Sequence, residues 1–150
     1  MSFREFLLIF HIVGAGVWFG ANVIQAVVPR MMGRHGPDAT AGWYRVAGKL
    51  GTRLYMPASV LILITGILLV LQVDAYGFGT RFVTVGFAMI IIGAVLGIVV
   101  FEPGSEKVAA AIEAGDQGGI RQAVTRIAGF GAFDTLLLLL TIAAMVVRWS

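Results

Sequence analysis

FLLIFHIVGAGVWFGANVIQAVV, residues Phe6 to Val28, is the stretch that decides the fold. It carries no charged side chain. A helix needs about 20 apolar residues to cross a hydrocarbon core roughly 30 Å thick, and this run supplies them. Three more runs have the same character: Leu54 to Val73, Phe82 to Phe101 and Ile127 to Val147. The first run is too long for the apolar core of a signal peptide, has no convincing small-x-small cleavage site and carries polar residues on one face, so it is read as retained. Composition agrees. Of the 150 residues, 59% are apolar and 13% charged, against roughly 45–50% and about 25% in soluble domains. Mean hydropathy is +0.93. A soluble core of this size cannot hide so much apolar surface. These numbers exclude a soluble enzyme, a disordered tail and a nucleic-acid module. The expected fold is all-α: a polytopic membrane protein, one domain over residues 1–150, built as an antiparallel four-helix bundle. The lipid bilayer is its first partner, and nucleic acid is not one.

The chain has no cysteine, which removes disulfides, iron–sulfur clusters, thiolate zinc sites and thiol nucleophiles. Its net charge is +3. Arg30, Arg34, Arg45, Lys49, Arg53, Lys107, Arg121 and Arg126 fall in the first and third connections, whereas Arg4, Arg81 and Arg148 fall on the opposite side. The positive-inside rule then sets both connections in the cytoplasm and both termini outside, in a bacterial-type inner membrane.

The first connection is more than a linker. After Gly36-Pro37, Asp38 or Thr40 is expected to cap a helix with Trp43, Tyr44, Val46, Ala47 and Leu50 among Arg45, Lys49 and Arg53. Apolar and basic positions at helical spacing predict an amphipathic interfacial helix between spans one and two, followed by a kink near Pro57. The third connection starts at Glu102-Pro103-Gly104, is helical from Val108 to Ala114, and is expected to break at Gly115, Gly118 and Gly119. The second, Asp74 to Thr80, is short enough to make spans two and three antiparallel neighbours. Gly16 and Gly20 form one small-residue face, and Gly86, Gly93 and Gly97 another. In lipid such faces let helices approach closely. They fit a homodimer or oligomer contact, room for a flat cofactor, or packing inside the bundle.

Polar side chains in hydrocarbon are costly and mark functional positions. His11, Trp18, Asn22 and Gln25 are spaced by seven, four and three residues, which stacks them on one helical face turned into the bundle. Imidazole is the usual protein ligand to haem iron and also binds copper and zinc. His11 lies roughly 9 Å outward from the centre of its span, and Met145 in the last span falls in the same half. A His11–Met145 axial pair for a b-type haem is therefore allowed, with Met89 a less well matched substitute. His35 lies in the basic connection and cannot reach that layer. Asp134 is the sole carboxylate well inside a span, roughly 5 Å to the other side of its centre. It is expected to join Asn22, Gln25, Arg53 and Tyr55 in a polar intramembrane layer, with Arg53 or Arg126 at its rim. Such a layer can carry a proton, orient a substrate or clamp helices.

His11-Ile12, Trp18-Phe19 and Pro29-Arg30 resemble the opening helix of the HemJ-type membrane protoporphyrinogen oxidases and of the copper-resistance CopD family. Arg53-Leu54-Tyr55, Pro57-Ala58 and Gly66 resemble the second helix of that group, and Met145-Val146-Val147-Arg148 its close. The resemblance implies a four-helix bundle in which the first-helix histidine, here His11, holds haem. The oxidase branch also uses a lysine in its third helix, and Phe82 to Phe101 contains none. The likeness is therefore nearest to the superfamily's branch of predicted integral membrane proteins of unassigned function. The leading expectation is a membrane protein that binds a b-type haem, or a related tetrapyrrole or metal, through His11, with Trp18 and Met145 in the pocket. Electron transfer or a haem-linked oxidation would follow. Two alternatives stay open: a non-catalytic membrane subunit or assembly partner with no cofactor, and a small oligomeric permease lined by Asn22, Gln25 and Asp134.

Overall fold

A computed structural model of the chain describes residues 1–72 and 76–147. Val73, expected to end the second span, Asp74 at the start of the second connection, and Arg148, counted in the charge bias and the closing motif, lie outside the described residues. Among the described residues six α-helices follow in order: α1 Phe3–Met32, α2 Pro37–Leu50, α3 Met56–Leu71, α4 Arg81–Leu96, α5 Glu102–Glu113 and α6 Gln117–Val147. They join into four long helices, because α2 runs into α3 and α4 into α5 through single π turns. Each of the four is long and apolar enough to cross a membrane. The fold is the expected all-α four-helix bundle of a multi-pass membrane protein.

The local chemistry explains the ends. Ser2 Oγ accepts the Glu5 N–H at 3.2 Å while Glu5 accepts the Ser2 N–H at 2.8 Å. This reciprocal cap satisfies two of the donors orphaned at the start of α1. Neither Asp38 nor Thr40 caps α2. Gly36, at φ 102°, is the cap, and Pro37 opens the helix, since its fixed φ suits the first helical position. The Thr40 hydroxyl instead donates back to the Gly36 carbonyl at 2.9 Å. Gly115, at φ 67°, does make the turn after α5. Gly118 and Gly119 do not break the chain; they sit in the first turn of α6. There Asp116 accepts the Gly119 N–H at 3.0 Å, and a Cβ on Gly119 would strike that carboxylate.

The kink expected near Pro57 takes the form of the π turn Gly51–Tyr55 just before it, and a second π turn, Gly97–Phe101, precedes Pro103 in the same way. In both cases the glycine stands six residues before the proline. The amphipathic stretch is helical as expected, but its apolar face is used inside the chain. Ala41 and Tyr44 of α2 close over Val108 and Ala109 of α5, which are fully buried, and α6 adds Ala123, Val124 and Ile127. Arg45 ties the exposed side of this pair to Glu113 at 2.7 Å and to Glu106 at 3.4 Å.

Within the spanning half, α1 packs along α3, and α4 along α6, while α3 meets α4 only briefly. Trp18, Ile62, Met89 and Leu138 form the central cluster. Ile9, Ile12, Val13, Ile91, Val95, Leu136 and Leu140 point outward and are exposed. In water such a surface would be penalised at about 25 cal/mol per Å²; lipid removes that penalty, consistent with a bilayer around the bundle.

Candidate functional site

Two cavities are stacked along the bundle axis, separated by the central cluster. The first, about 270 Å³, is bounded by all four long helices. His11 and Ala15 come from α1, Gly66 from α3, Gly86 and Met89 from α4, and Thr141 and Met145 from α6. Arg4 and Tyr76 line the end of it nearest the start of α1. His11 and Met145, paired in the sequence reading, therefore face one space, and Met89 lines it too.

The orientation of the imidazole follows from its partners. Nδ1 lies 3.1 Å from the Ile62 carbonyl and 3.0 Å from Thr65 Oγ1. The carbonyl can only accept. The Thr65 hydroxyl gives its own proton to the Leu61 carbonyl at 2.6 Å, so it too accepts from His11. Both partners require the hydrogen on Nδ1, which leaves a lone pair on Nε2. Nε2 makes no hydrogen bond among the described residues. Gly66 makes this possible by letting α3 approach: a Cβ there would sit 3.2 Å from His11 Cε1. Gly86 does the same for Met145, whose methyl would lie 2.7 Å from an added Cβ.

The second cavity, about 100 Å³, lies at the end that carries the first and third connections. Trp18, Gln25, Tyr55, Ser59 and Asp134 line it together with both π turns. Asp134 is 2% exposed. Its Oδ2 accepts from Trp18 Nε1 at 3.1 Å and from Asn22 Nδ2 at 2.8 Å, while Oδ1 has no partner. Tyr55 donates to Asn22 Oδ1 at 2.7 Å and accepts from Gln25 at 3.0 Å. Asn22 also reaches Thr135 at 3.2 Å. The rings of Trp18 and Tyr55 meet with centroids 5.7 Å apart and planes at 82°, a favourable edge-to-face geometry.

The polar layer thus assembles Asn22, Gln25, Tyr55 and Asp134 as expected. Two placements differ from the sequence reading. Arg53 is exposed and makes no contact with Asp134. It stands two residues before Tyr55, about 200° round the helix, and so looks away. Arg126 is exposed as well. Trp18, assigned to the cofactor pocket, is not in the wall of the first cavity. It lies about 10 Å deeper than His11 along α1, and its ring fills the notch at Gly93, where a Cβ would overlap it. Gly86 and Gly93 therefore each receive a side chain of this same chain, whereas Gly16, Gly20 and Gly97 have open space beside them.

Thr65, Thr135, Gly51, Thr52 and Ile98 were not singled out in the sequence. Thr65 was hidden in an apolar run. The glycine–proline spacing of six, repeated in two spans, was the signal available for the turns. No protein-family model, no curated protein and no solved structure matches this chain.

Proposed function

We propose that the first cavity binds a flat metallo-tetrapyrrole, a b-type haem or a relative, with His11 Nε2 as the axial ligand. One observation carries the reading: a histidine fixed through Nδ1 to a carbonyl and a hydroxyl, with its other nitrogen unengaged in a cavity that also contains Met145. Ligating histidines are held in this way, because the second-shell bond fixes the tautomer and raises the basicity of the free nitrogen.

The donor set favours a ring over a bare ion. Among the described residues no group of three or more His, Asp or Glu side chains could hold a metal, and a macrocycle brings its own equatorial donors. Met145, or Met89, would offer a thioether from the same cavity lining. The volume, about 270 Å³, falls below the roughly 300–1,000 Å³ typical of small-molecule sites, so a ring requires the briefly packed α3–α4 wall to give way. Arg4, at the end nearest the start of α1, suits a peripheral carboxylate. When bound, such a group supplies one-electron chemistry. The chain's own residues would orient His11 through Ile62 and Thr65 and exclude water with apolar walls.

In the same reading the chain sits in a bacterial-type inner membrane with both termini outside, following its charge bias. The open Gly16 and Gly20 face serves a second copy. The test is an absorption spectrum of anaerobically purified protein from haem-replete cells. A Soret band lost in His11→Ala supports the assignment. A colourless, metal-free preparation overturns it and favours a subunit or assembly partner without cofactor.

A further inference from the structure

The first cavity lies between two helix pairs, α1 packed along α3 and α4 packed along α6. The two seams between the pairs differ. Hydrogen bonds cross the α1–α6 seam beneath the cavity, from Trp18 to Asp134 and from Asn22 to Asp134 and Thr135. None crosses the α3–α4 seam among the described residues. Ser59, Thr65 and Thr84, the hydroxyl residues of α3 and α4, donate to carbonyls near them in sequence. Packing alone therefore holds α4, which receives Met145 at Gly86 and Trp18 at Gly93.

The lining of the cavity reaches the surface along the same seam. Ile62, Gly86 and Met89 line it and are buried, while their neighbours Leu63, Phe87 and Ile90 line it and are half-buried. Consecutive residues stand about 100° apart on a helix, so the wall runs from the core outward. Leu63 is eight residues from Tyr55, about 12 Å along the axis, and Phe87 six from Gly93, about 9 Å. They stand at similar depth. From Met56 to Leu71 and from Phe82 to Leu96 there is no charged side chain, so this seam opens on hydrocarbon rather than on water.

From this arrangement we infer that the first cavity is loaded sideways from the lipid, through the α3–α4 seam, by a planar ring dissolved in the bilayer. The inference rests on the reading of that cavity as a tetrapyrrole site and adds the phase from which the ring comes. Such a ring is apolar on both faces, and a b-type haem carries its carboxylates on one edge. In a bilayer the faces stay in hydrocarbon and the acidic edge sits among the headgroups. Arg4, at one end of the cavity, precedes the apolar run that begins at Phe6 and so stands at headgroup depth. Entry from lipid exchanges one apolar surrounding for another and adds two polar contacts, at His11 Nε2 and at Arg4. The cavity, about 270 Å³, is smaller than the ring, so α4 must part from α3. That step breaks no side-chain hydrogen bond between helices, and lipid covers the parted apolar faces with little penalty.

The chain has no cysteine, which makes the seams addressable. Leu63→Cys with Phe87→Cys sets two thiols across the α3–α4 seam, and Ala15→Cys with Ile142→Cys sets two across the α1–α6 seam. Each double variant, in phosphatidylcholine vesicles, is joined with a bis-maleimide whose spacer contains a reducible disulfide. Haem is then added to the lipid, and the Soret change times its uptake. Joining α3 to α4 is expected to slow uptake about 10-fold or more, the effect of a barrier raised by about 1.4 kcal/mol. Reducing the spacer restores the rate, and joining α1 to α6 leaves it unchanged. The unmutated protein gives a second measurement should a variant fail to fold: its uptake rate follows the haem-to-lipid ratio and not the haem concentration in water. An unchanged rate with α3 joined to α4, equal slowing at both seams, or a rate set by aqueous haem overturns lateral entry and leaves the ligand assignment standing. No Soret change in any sample overturns both.

Discussion

Replacing single glycines by alanine gives a graded test of the packing around the polar layer. At Gly93 the added methyl would overlap the edge of the Trp18 indole, with Cη2 2.7 Å away. That ring cannot step aside cheaply. It is 3% exposed, donates to Asp134 and abuts Tyr55. Overpacking a tight core costs about 1–3 kcal/mol, and breaking the buried Trp18–Asp134 hydrogen bond adds about 0.5–1.5 kcal/mol. With partial relaxation, the expected loss is about 2–4 kcal/mol. At Gly86 the methyl also comes within 2.7 Å of a neighbour, but that neighbour is the terminal methyl of Met145, which has three rotatable bonds to absorb the shift. The cost there is about 1 kcal/mol or less. At Gly16 nothing lies within 4 Å, so the change is neutral or slightly favourable through helix propensity. Reversible unfolding of the three variants in mixed micelles, followed by tryptophan fluorescence, measures the order directly. If Gly93→Ala were no less stable than Gly16→Ala, the docking of Trp18 at Gly93, and with it the partition between the cavities, would be wrong.

Tyr55→Phe removes the hydroxyl that serves both Asn22 and Gln25; a loss of about 1–2 kcal/mol is expected, read by the same unfolding assay, and a value near zero would mean that water replaces the hydroxyl freely. Thr65→Val takes one of the two acceptors from His11 Nδ1 and leaves the Ile62 carbonyl. Tetrapyrrole affinity, measured by titrating the ligand into protein prepared without it, should fall by about 10-fold, the lower end of second-shell effects, with the Soret maximum retained. Unchanged affinity would assign the orientation of the ring to Ile62 alone.

Much of the architecture was legible in the chain. Bilayer thickness sets a length of about 20 residues for an apolar helix, so runs such as Phe6 to Val28 specify a span with no knowledge of their neighbours. The spacing of His11, Trp18, Asn22 and Gln25 likewise puts them on one face through the helical repeat alone. Periodicity fixes direction round a helix, however, and only roughly the depth of its partners. Depth counted along the spans paired His11 with Met145, and both line one cavity, yet it could not say that Trp18 would drop beneath that cavity into the notch at Gly93. Nor could it say that Arg53, two residues from Tyr55, would turn outward and leave Asp134 without a counter-charge.

The division has a physical basis. Hydrophobic length and helical phase are properties of a segment, written in consecutive residues. The hydrogen bond from His11 to Thr65 spans 54 positions and that from Trp18 to Asp134 spans 116, so both depend on how closely two helices approach. Small residues such as Gly66 and Gly93 set that approach, and each acts only through the side chain that the fold brings against it.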